Sequence, residues 1–138
     1  VRTVAGTYKT VGLGYKPEGK LLNVDANDGV PAELSQDIGL ERCLRAGVLC
    51  NDSHLVLKEG QWQIDGDPTE GALLVSAIKA GFDVPQLRKG RPRRDVIPFD
   101  SNRQLMATVH EVLGEAEPVV FVKGAVEQVV TKCKDAYD

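Results

Sequence analysis

The sequence has few of the residues that most often carry catalysis. Its 138 residues include only two histidines, His54 and His110. Neither adjoins a recognisable serine or cysteine nucleophile motif, which disfavours nucleophilic hydrolysis. The sequence also lacks a glycine-rich phosphate loop and a dinucleotide fingerprint, because Gly12 and Gly14 have neither the spacing nor the following helix that those motifs need. The ordinary nucleotide-binding folds are therefore excluded on their signatures.

Cysteine is scarce as well. Cys43, Cys50 and Cys133 are an odd number without the dense spacing of a disulfide scaffold, which is typical of a reducing compartment. Cys43, Cys50 and His54 lie close together in sequence, but a fourth ligand and the paired short spacings of structural zinc sites are missing. We therefore expect a cytosolic domain whose thiols lie on a helix and bind no metal.

Neither an excess of positive charge nor a long apolar run is present. Seventeen Lys and Arg against 20 Asp and Glu give a formal net charge of -3, so we expect no nucleic-acid partner. No apolar run approaches the length that crosses a bilayer, and Val1–Thr10 has no signal-peptide core, so any membrane part should lie outside this sequence. The length and the ordinary composition predict one soluble domain over residues 1–138.

Turn-rich segments with alternating apolar residues predict antiparallel strands. Val1–Val24 contains several such signals, and Asn23–Pro31 is typical of a surface loop. Two strands at His54–Lys58 and Gln61–Ile64 are predicted to form a hairpin around a tight turn. Further strands are predicted at 96–99, 105–112 and 119–123.

Helices are predicted between these strands. Apolar spacing predicts one over Ala32–Cys50. A second should start at Asp67, where a capping residue precedes proline, and stop at Gly81. A last helix should follow Lys123 and turn its valines inward, whereas the basic stretch Pro85–Arg94 reads as a solvated loop. The sum is an α+β fold, an antiparallel sheet flanked by helices.

Three segments stand out together: Gly66–Leu73 (GDPTEGAL), Pro98–Ser101 (PFDS) and Phe121–Ala125 (FVKGA). In this order they resemble the nucleotide-binding domain of P-type cation-transporting ATPases, and the calcium-pump branch more than the heavy-metal branch. The resemblance covers essentially the whole chain. Val1–Val4 is similar to the segment after the phosphorylation motif of such pumps, whose aspartate is absent from this sequence.

The resemblance implies a soluble domain on the cytoplasmic side of a membrane, reaching the membrane only through its parent transporter. It implies that the domain binds ATP, with Mg²⁺ carried by the nucleotide, and presents the terminal phosphate to the phosphorylation domain. The phosphorylation and actuator domains of the same parent chain would be its partners. The isolated domain should bind nucleotide without hydrolysing it.

The resemblance also assigns a site. An exposed phenylalanine can stack on adenine, which is worth about 0.5–1.5 kcal/mol beyond area burial. By similarity Phe99 is that ring, Lys123 lies at the mouth or floor of the same pocket, and small residues after Lys123 leave room for the ligand. The predicted nucleotide-binding residues are Glu70, Phe99, Ser101, Arg103, Gln104, Met106, Lys123, Gly124 and Ala125.

Other interpretations stay open for these residues. Glu70 fits a capping box with Asp67 as well as a contact to adenine. Phe99 could be an apolar core residue, and Lys123 could extend to solvent. Gln104 stands where many relatives carry a lysine, and Val126 replaces the usual proline, so phosphate attraction is expected to be weaker.

Two other functions also remain open. One is a non-enzymatic interaction domain that docks a protein or a lipid headgroup through the basic stretch. The other is a stand-alone nucleotide binder.

Overall fold

Antiparallel sheets and helices alternate along residues 1–25 and 29–135, the part of the chain that the computed structural model describes. The predicted α+β fold is confirmed. The chain divides into two compact units, Val1–Val84 and Pro85–Asp138. A single domain over residues 1–138 stays a prediction. None of the helices in the described ranges is long and apolar enough to cross a bilayer.

The first unit begins with a three-stranded antiparallel sheet. It consists of β1 (Tyr8–Val11), β2 (Lys20–Asn23) and the two-residue β3 (Val30–Pro31), with β2 in the centre. The loop predicted over Asn23–Pro31 is wrong at both ends, because Asn23 belongs to β2 and pairs with Val30 of β3. An edge strand tolerates a proline, since one side of its backbone needs no partner. The middle of that loop, residues 26–28, lies outside the described residues.

Helix α1 spans Ile38–Leu49 and starts six residues later than predicted. The reason is a cap: Asp37 Oδ1 accepts a hydrogen bond from the Leu40 N–H at 2.8 Å, which satisfies a donor that the first turn leaves unpaired. The preceding Leu34–Gln36 forms a 3₁₀ turn instead. Leu40 and Val48 are fully buried, so the inner face of α1 forms the core of this unit.

The Asp37 carboxylate also ties the start of the chain to α1. Its Oδ2 accepts hydrogen bonds from Thr3 Oγ1 at 2.5 Å and from the Tyr8 hydroxyl at 2.7 Å. Burial by itself raises the pKa of Asp37, but these hydrogen bonds and those from the start of α1 outweigh it and hold the pKa below its ordinary value. The buried charge is therefore satisfied internally.

The predicted hairpin and second helix are both confirmed. Strands β4 (His54–Lys58) and β5 (Gln61–Asp65) pair in antiparallel register. Both turn residues between them, Glu59 and Gly60, have positive φ, as a two-residue turn matched to the strand twist requires. Helix α2 spans Pro68–Lys79.

The second unit is built on one three-stranded antiparallel sheet. Helix α3 (Val84–Gly90) precedes it, and its strands are β6 (Arg93–Asp100), β7 (Leu105–His110) and β8 (Val119–Gly124). The middle strand β7 is buried along most of its length, and a short helix α4 (Val126–Val130) follows β8.

The basic stretch is not the solvated loop that its composition predicts. Most of Pro85–Arg94 belongs to α3 and β6: proline is well suited to a first helical turn, and Arg93 pairs in register with His110. Arg94 forms an ion pair with Glu111 on the neighbouring chain segment. The basic side chains of this stretch are therefore distributed over α3, β6 and the short connection at Arg91 between them.

The valines around β8 are more exposed than predicted. Along β8 half-buried and exposed residues alternate, so the strand is not the continuous buried run that its apolar sequence suggests. In α4, Val126 and Val130 are 66% and 61% exposed, which contradicts the expectation that they point inward. Apolar character alone did not decide which face is covered.

Candidate functional site

The first segment of the predicted site forms the start of α2. Asp67 Oδ1 accepts hydrogen bonds from the N–H groups of Thr69 and Glu70 at 2.8 and 3.0 Å, and Pro68 occupies the first helical position. This is the cap that the sequence predicts, and it uses local contacts only.

The Glu70 carboxylate clamps the turn that follows α1. Its Oε2 accepts hydrogen bonds from the N–H groups of Asp52 and Ser53 at 2.7 and 3.2 Å, and from Ser53 Oγ at 3.3 Å. Asn51 completes this arrangement by donating from Nδ2 to the carbonyl oxygen of Glu70 at 2.9 Å. Ser53 is completely buried, and its N–H is shared between Glu70 Oε2 and Asn51 Oδ1, which accepts from it at 2.9 Å. Sequence reasoning missed this role, because the partners lie 17 and 18 positions away.

Two glycines of the same segment allow close packing. A Cβ on Gly71 would lie 2.7 Å from Ile64 Cδ1 and nearer still to Ile64 Cγ1. A Cβ on Gly66 would collide with Ser53 Oγ and lie 2.9 Å from Ser53 Cα, and Gly66 has a φ of +120°. Each position requires glycine on steric grounds. Five of the eight residues of the GDPTEGAL segment thus have capping or packing roles within the first unit.

The second segment places Phe99 on the surface at the end of β6. The ring is 63% exposed, so the alternative of a core residue does not hold. The register between β6 and β7 shifts between Ile97 and Asp100, so that Pro98 and Phe99 together stand opposite Met106. A bulge of this kind re-aims a side chain and is common beside functional sites.

The third segment places Lys123 in the same row of the sheet. Met106 on the central strand pairs with Lys123 on β8. Phe99, Met106 and Lys123 therefore stand in one row across the three strands, with Met106 only 2% exposed between them. Lys123 itself is half-buried.

The turn between β6 and β7, residues 100–104, is closed by Asp100. Its Oδ1 accepts hydrogen bonds from the N–H groups of Asn102 and Arg103, both at 2.9 Å, and its carbonyl oxygen accepts from the Gln104 N–H at 2.6 Å. The Arg103 N–H contributes most to holding the pKa of Asp100 below its ordinary value. We call this turn the β6–β7 bend.

A hydrogen bond joins the β6–β7 bend to the end of β8. The Ala125 N–H donates to the Gln104 carbonyl oxygen at 2.9 Å, and Gln104 has a left-handed φ of 52°. A Cβ on Gly124 would collide with this carbonyl and lie 2.7 Å from Leu105 Cα. The small size of Gly124 is therefore required by the neighbouring strand, whatever a ligand requires.

The nine predicted residues fall into two groups. Eight lie in the second unit, around the β6–β7 bend and the end of β8, and Glu70 lies in the first unit. Within the bend Ser101, Arg103 and Gln104 are exposed. Their roles toward a nucleotide stay predictions.

Asp100 was absent from that set. It reads from sequence as part of a polar bend, and the signal that could have found it is an aspartate at the start of such a bend, a position where its side chain accepts from the following backbone.

Comparison with known proteins places the chain in a family. The family model for the P-type ATPase cytoplasmic domain N matches residues 39–138. The chain belongs to this family of P-type ATPase cytoplasmic N domains, and the resemblance carried by the three segments is confirmed.

Curated relatives agree with that assignment. The chain is 42% identical over 134 residues to the cation-transporting ATPase pma1 of Synechocystis, covering 92% of this chain. It is 42% identical over 131 residues to the probable cation-transporting ATPase F of Mycobacterium tuberculosis, and 32% identical over 135 residues to the calcium-transporting ATPase of Bacillus subtilis, each covering 95% of this chain. The chain spans 14% of the length of each of these relatives.

Proposed function

We propose that this chain binds ATP through its adenine ring, as the nucleotide-binding part of a P-type cation-transporting ATPase. The observation that carries the proposal is the exposed ring of Phe99, 63% accessible, in a bulge opposite Met106, whose register partner is Lys123. An exposed aromatic ring in the same row of the sheet as a lysine offers a planar ligand both a stacking face and a positive charge.

In the proposed complex, adenine stacks on Phe99 and the ammonium group of Lys123 meets electron-rich ring atoms or the phosphate chain. Arg103 lies on the exposed side of the β6–β7 bend and adds positive charge toward the phosphates. Glu70 is proposed as a contact to the adenine amino group; it would have to combine this with its hold on Asp52 and Ser53.

The remainder of the proposal concerns the parent protein. The phosphorylation domain of the same chain would receive the terminal phosphate, and the actuator domain would complete the cycle, on the cytoplasmic side of a membrane. Positioning of the nucleotide is then the contribution of this domain, and the isolated domain binds without hydrolysing. Mg²⁺ would enter with the nucleotide, because phosphate oxygens are among its preferred ligands.

The test is a titration of the isolated domain with ATP, followed by amide resonances of the second unit. Wild-type protein should show shifts around Phe99 and Lys123 that saturate. Phe99→Ala should weaken binding about tenfold or more, since stacking of a base on an aromatic ring is worth roughly 1–3 kcal/mol. Phe99→Trp, which keeps a stacking face, should retain binding.

Leu113→Ala is the matched control, because Leu113 is an exposed apolar residue of the same unit, 75% accessible, that is not part of the site. It should leave binding unchanged. Spectra that stay the same at millimolar ATP, or equal affinities for wild type and Phe99→Ala, would overturn the proposal.

A further inference from the structure

We infer that Asp100 is a positioning residue for nucleotide binding, which holds the β6–β7 bend so that Phe99 and Arg103 face the ligand. This inference rests on the proposed function. Asp100 directly follows Phe99, and three hydrogen bonds close the bend through it, two to its carboxylate and one to its carbonyl oxygen.

Asp100 is the residue at which the bulge in β6 ends. It pairs in register with Leu105, and the irregularity that contains Phe99 lies directly before it. Phe99 is itself mostly exposed, so packing contributes little to the direction of its ring. The backbone on its C-terminal side is held through Asp100, and the ring therefore depends on that carboxylate for its placement.

Arg103 depends on the same carboxylate in two ways. Its N–H donates to Asp100 Oδ1 at 2.9 Å, and its guanidinium Nε lies 3.8 Å from the same oxygen. The two side chains are 57% and 39% exposed, so the ion pair itself contributes little. The hydrogen bonds to the backbone are the larger effect, because they restrict where the arginine emerges from the bend.

Two substitutions separate these effects. Asp100→Ala removes the acceptor and the charge, whereas Asp100→Asn keeps an acceptor oxygen in the same place and removes only the charge. The dissociation constant for ATP, measured by calorimetry on the isolated domain, should rise about five- to tenfold for Asp100→Ala, which corresponds to the loss of one net hydrogen bond. For Asp100→Asn it should stay within about twofold of wild type, since the exposed ion pair contributes little.

Asp95→Ala is the matched control. Asp95 is an exposed aspartate on the same strand that carries the same charge and does not hold the bend, so its removal should leave the dissociation constant unchanged. Amide relaxation of Asn102 and Arg103 is the second readout. It should show increased motion in Asp100→Ala and wild-type behaviour in Asp100→Asn.

The outcomes distinguish this inference from the proposed function. Absence of ATP binding by wild type would overturn the function itself. Binding by wild type that is equal in Asp100→Ala, or equally weakened in both Asp100 variants, would overturn the inference and leave the function standing. Should Asp100→Ala unfold, Asp100→Val, which also lacks an acceptor oxygen and suits the end of a strand, takes its place: weakened binding supports the inference, and wild-type affinity overturns it.

Discussion

The GDPTEGAL segment at the start of α2 and the β6–β7 bend are comparable as sequence motifs, but their structures differ. In the first segment, Asp67 and Glu70 hold backbone N–H groups and Gly66 and Gly71 accept close neighbours. The bulge directly before the β6–β7 bend, by contrast, leaves the ring of Phe99 on the surface. A family motif can therefore record the needs of the fold in one region and, in the proposed function, a site for a ligand in another.

Among changes within the two segments, Gly66→Ala should have the largest effect on stability, and it tests whether the GDPTEGAL segment serves the fold. The new methyl group would collide with buried Ser53 at a φ of +120°, so we expect the free energy of unfolding to fall by about 3 kcal/mol. Urea denaturation measures this.

Gly60→Ala is the control for that change. Gly60 also has a positive φ, of 76°, but no atom lies within 4 Å of its added Cβ. It should cost only about 1 kcal/mol, the conformational part alone. Equal losses for the two variants would show that the approach of Gly66 to Ser53 does not matter.

A smaller loss is expected from Glu70→Ala, about 2 kcal/mol, because three hydrogen bonds to Glu70 Oε2 are lost, although the buried Ser53 N–H keeps Asn51 Oδ1 as an acceptor. Glu70→Gln keeps one acceptor oxygen and should lose about half as much. Both values follow from urea denaturation monitored in the first unit.

The same pair of variants tests whether Glu70 both stabilises the fold and contacts ATP. If Glu70→Gln loses less stability than Glu70→Ala but binds ATP more weakly than wild type, Glu70 has a role in the fold and a role in binding. Unchanged stability of Glu70→Ala would contradict its role as a clamp on Asp52 and Ser53.

The smallest effect on stability should come from Phe99→Ala. An exposed side chain contributes little to the core, so we expect a change within about 0.5 kcal/mol, even though ATP binding should fall sharply. Leu105→Ala provides the contrast, since Leu105 is only 6% exposed and should lose about 3 kcal/mol. A loss for Phe99→Ala as large as that for Gly66→Ala would remove the difference between the two regions.

Secondary-structure elements that depend on contacts between sequence neighbours were predicted well. The hairpin around Glu59 and Gly60 and helix α2 follow from residues that contact their own sequence neighbours. The start of α1 was predicted less well. Its apolar spacing continues through the six residues before the helix, whereas the cap at Asp37 makes the helix begin at Ile38. The same holds for the candidate site. Its three segments could be recognised from the sequence, but their arrangement in the sheet could not.

Structural features that depend on contacts between sequence neighbours were thus determined by the sequence itself. Asp67 and Pro68 start a helix, Gly81 ends it, and the three ordered segments identify the family. Tertiary structure alone decided what Glu70 holds, that the basic stretch is a helix and a strand, and that a bulge places Phe99 in the row of Lys123. The physical reason is that these features depend on strand register and on partners many residues away, which a local pattern does not encode.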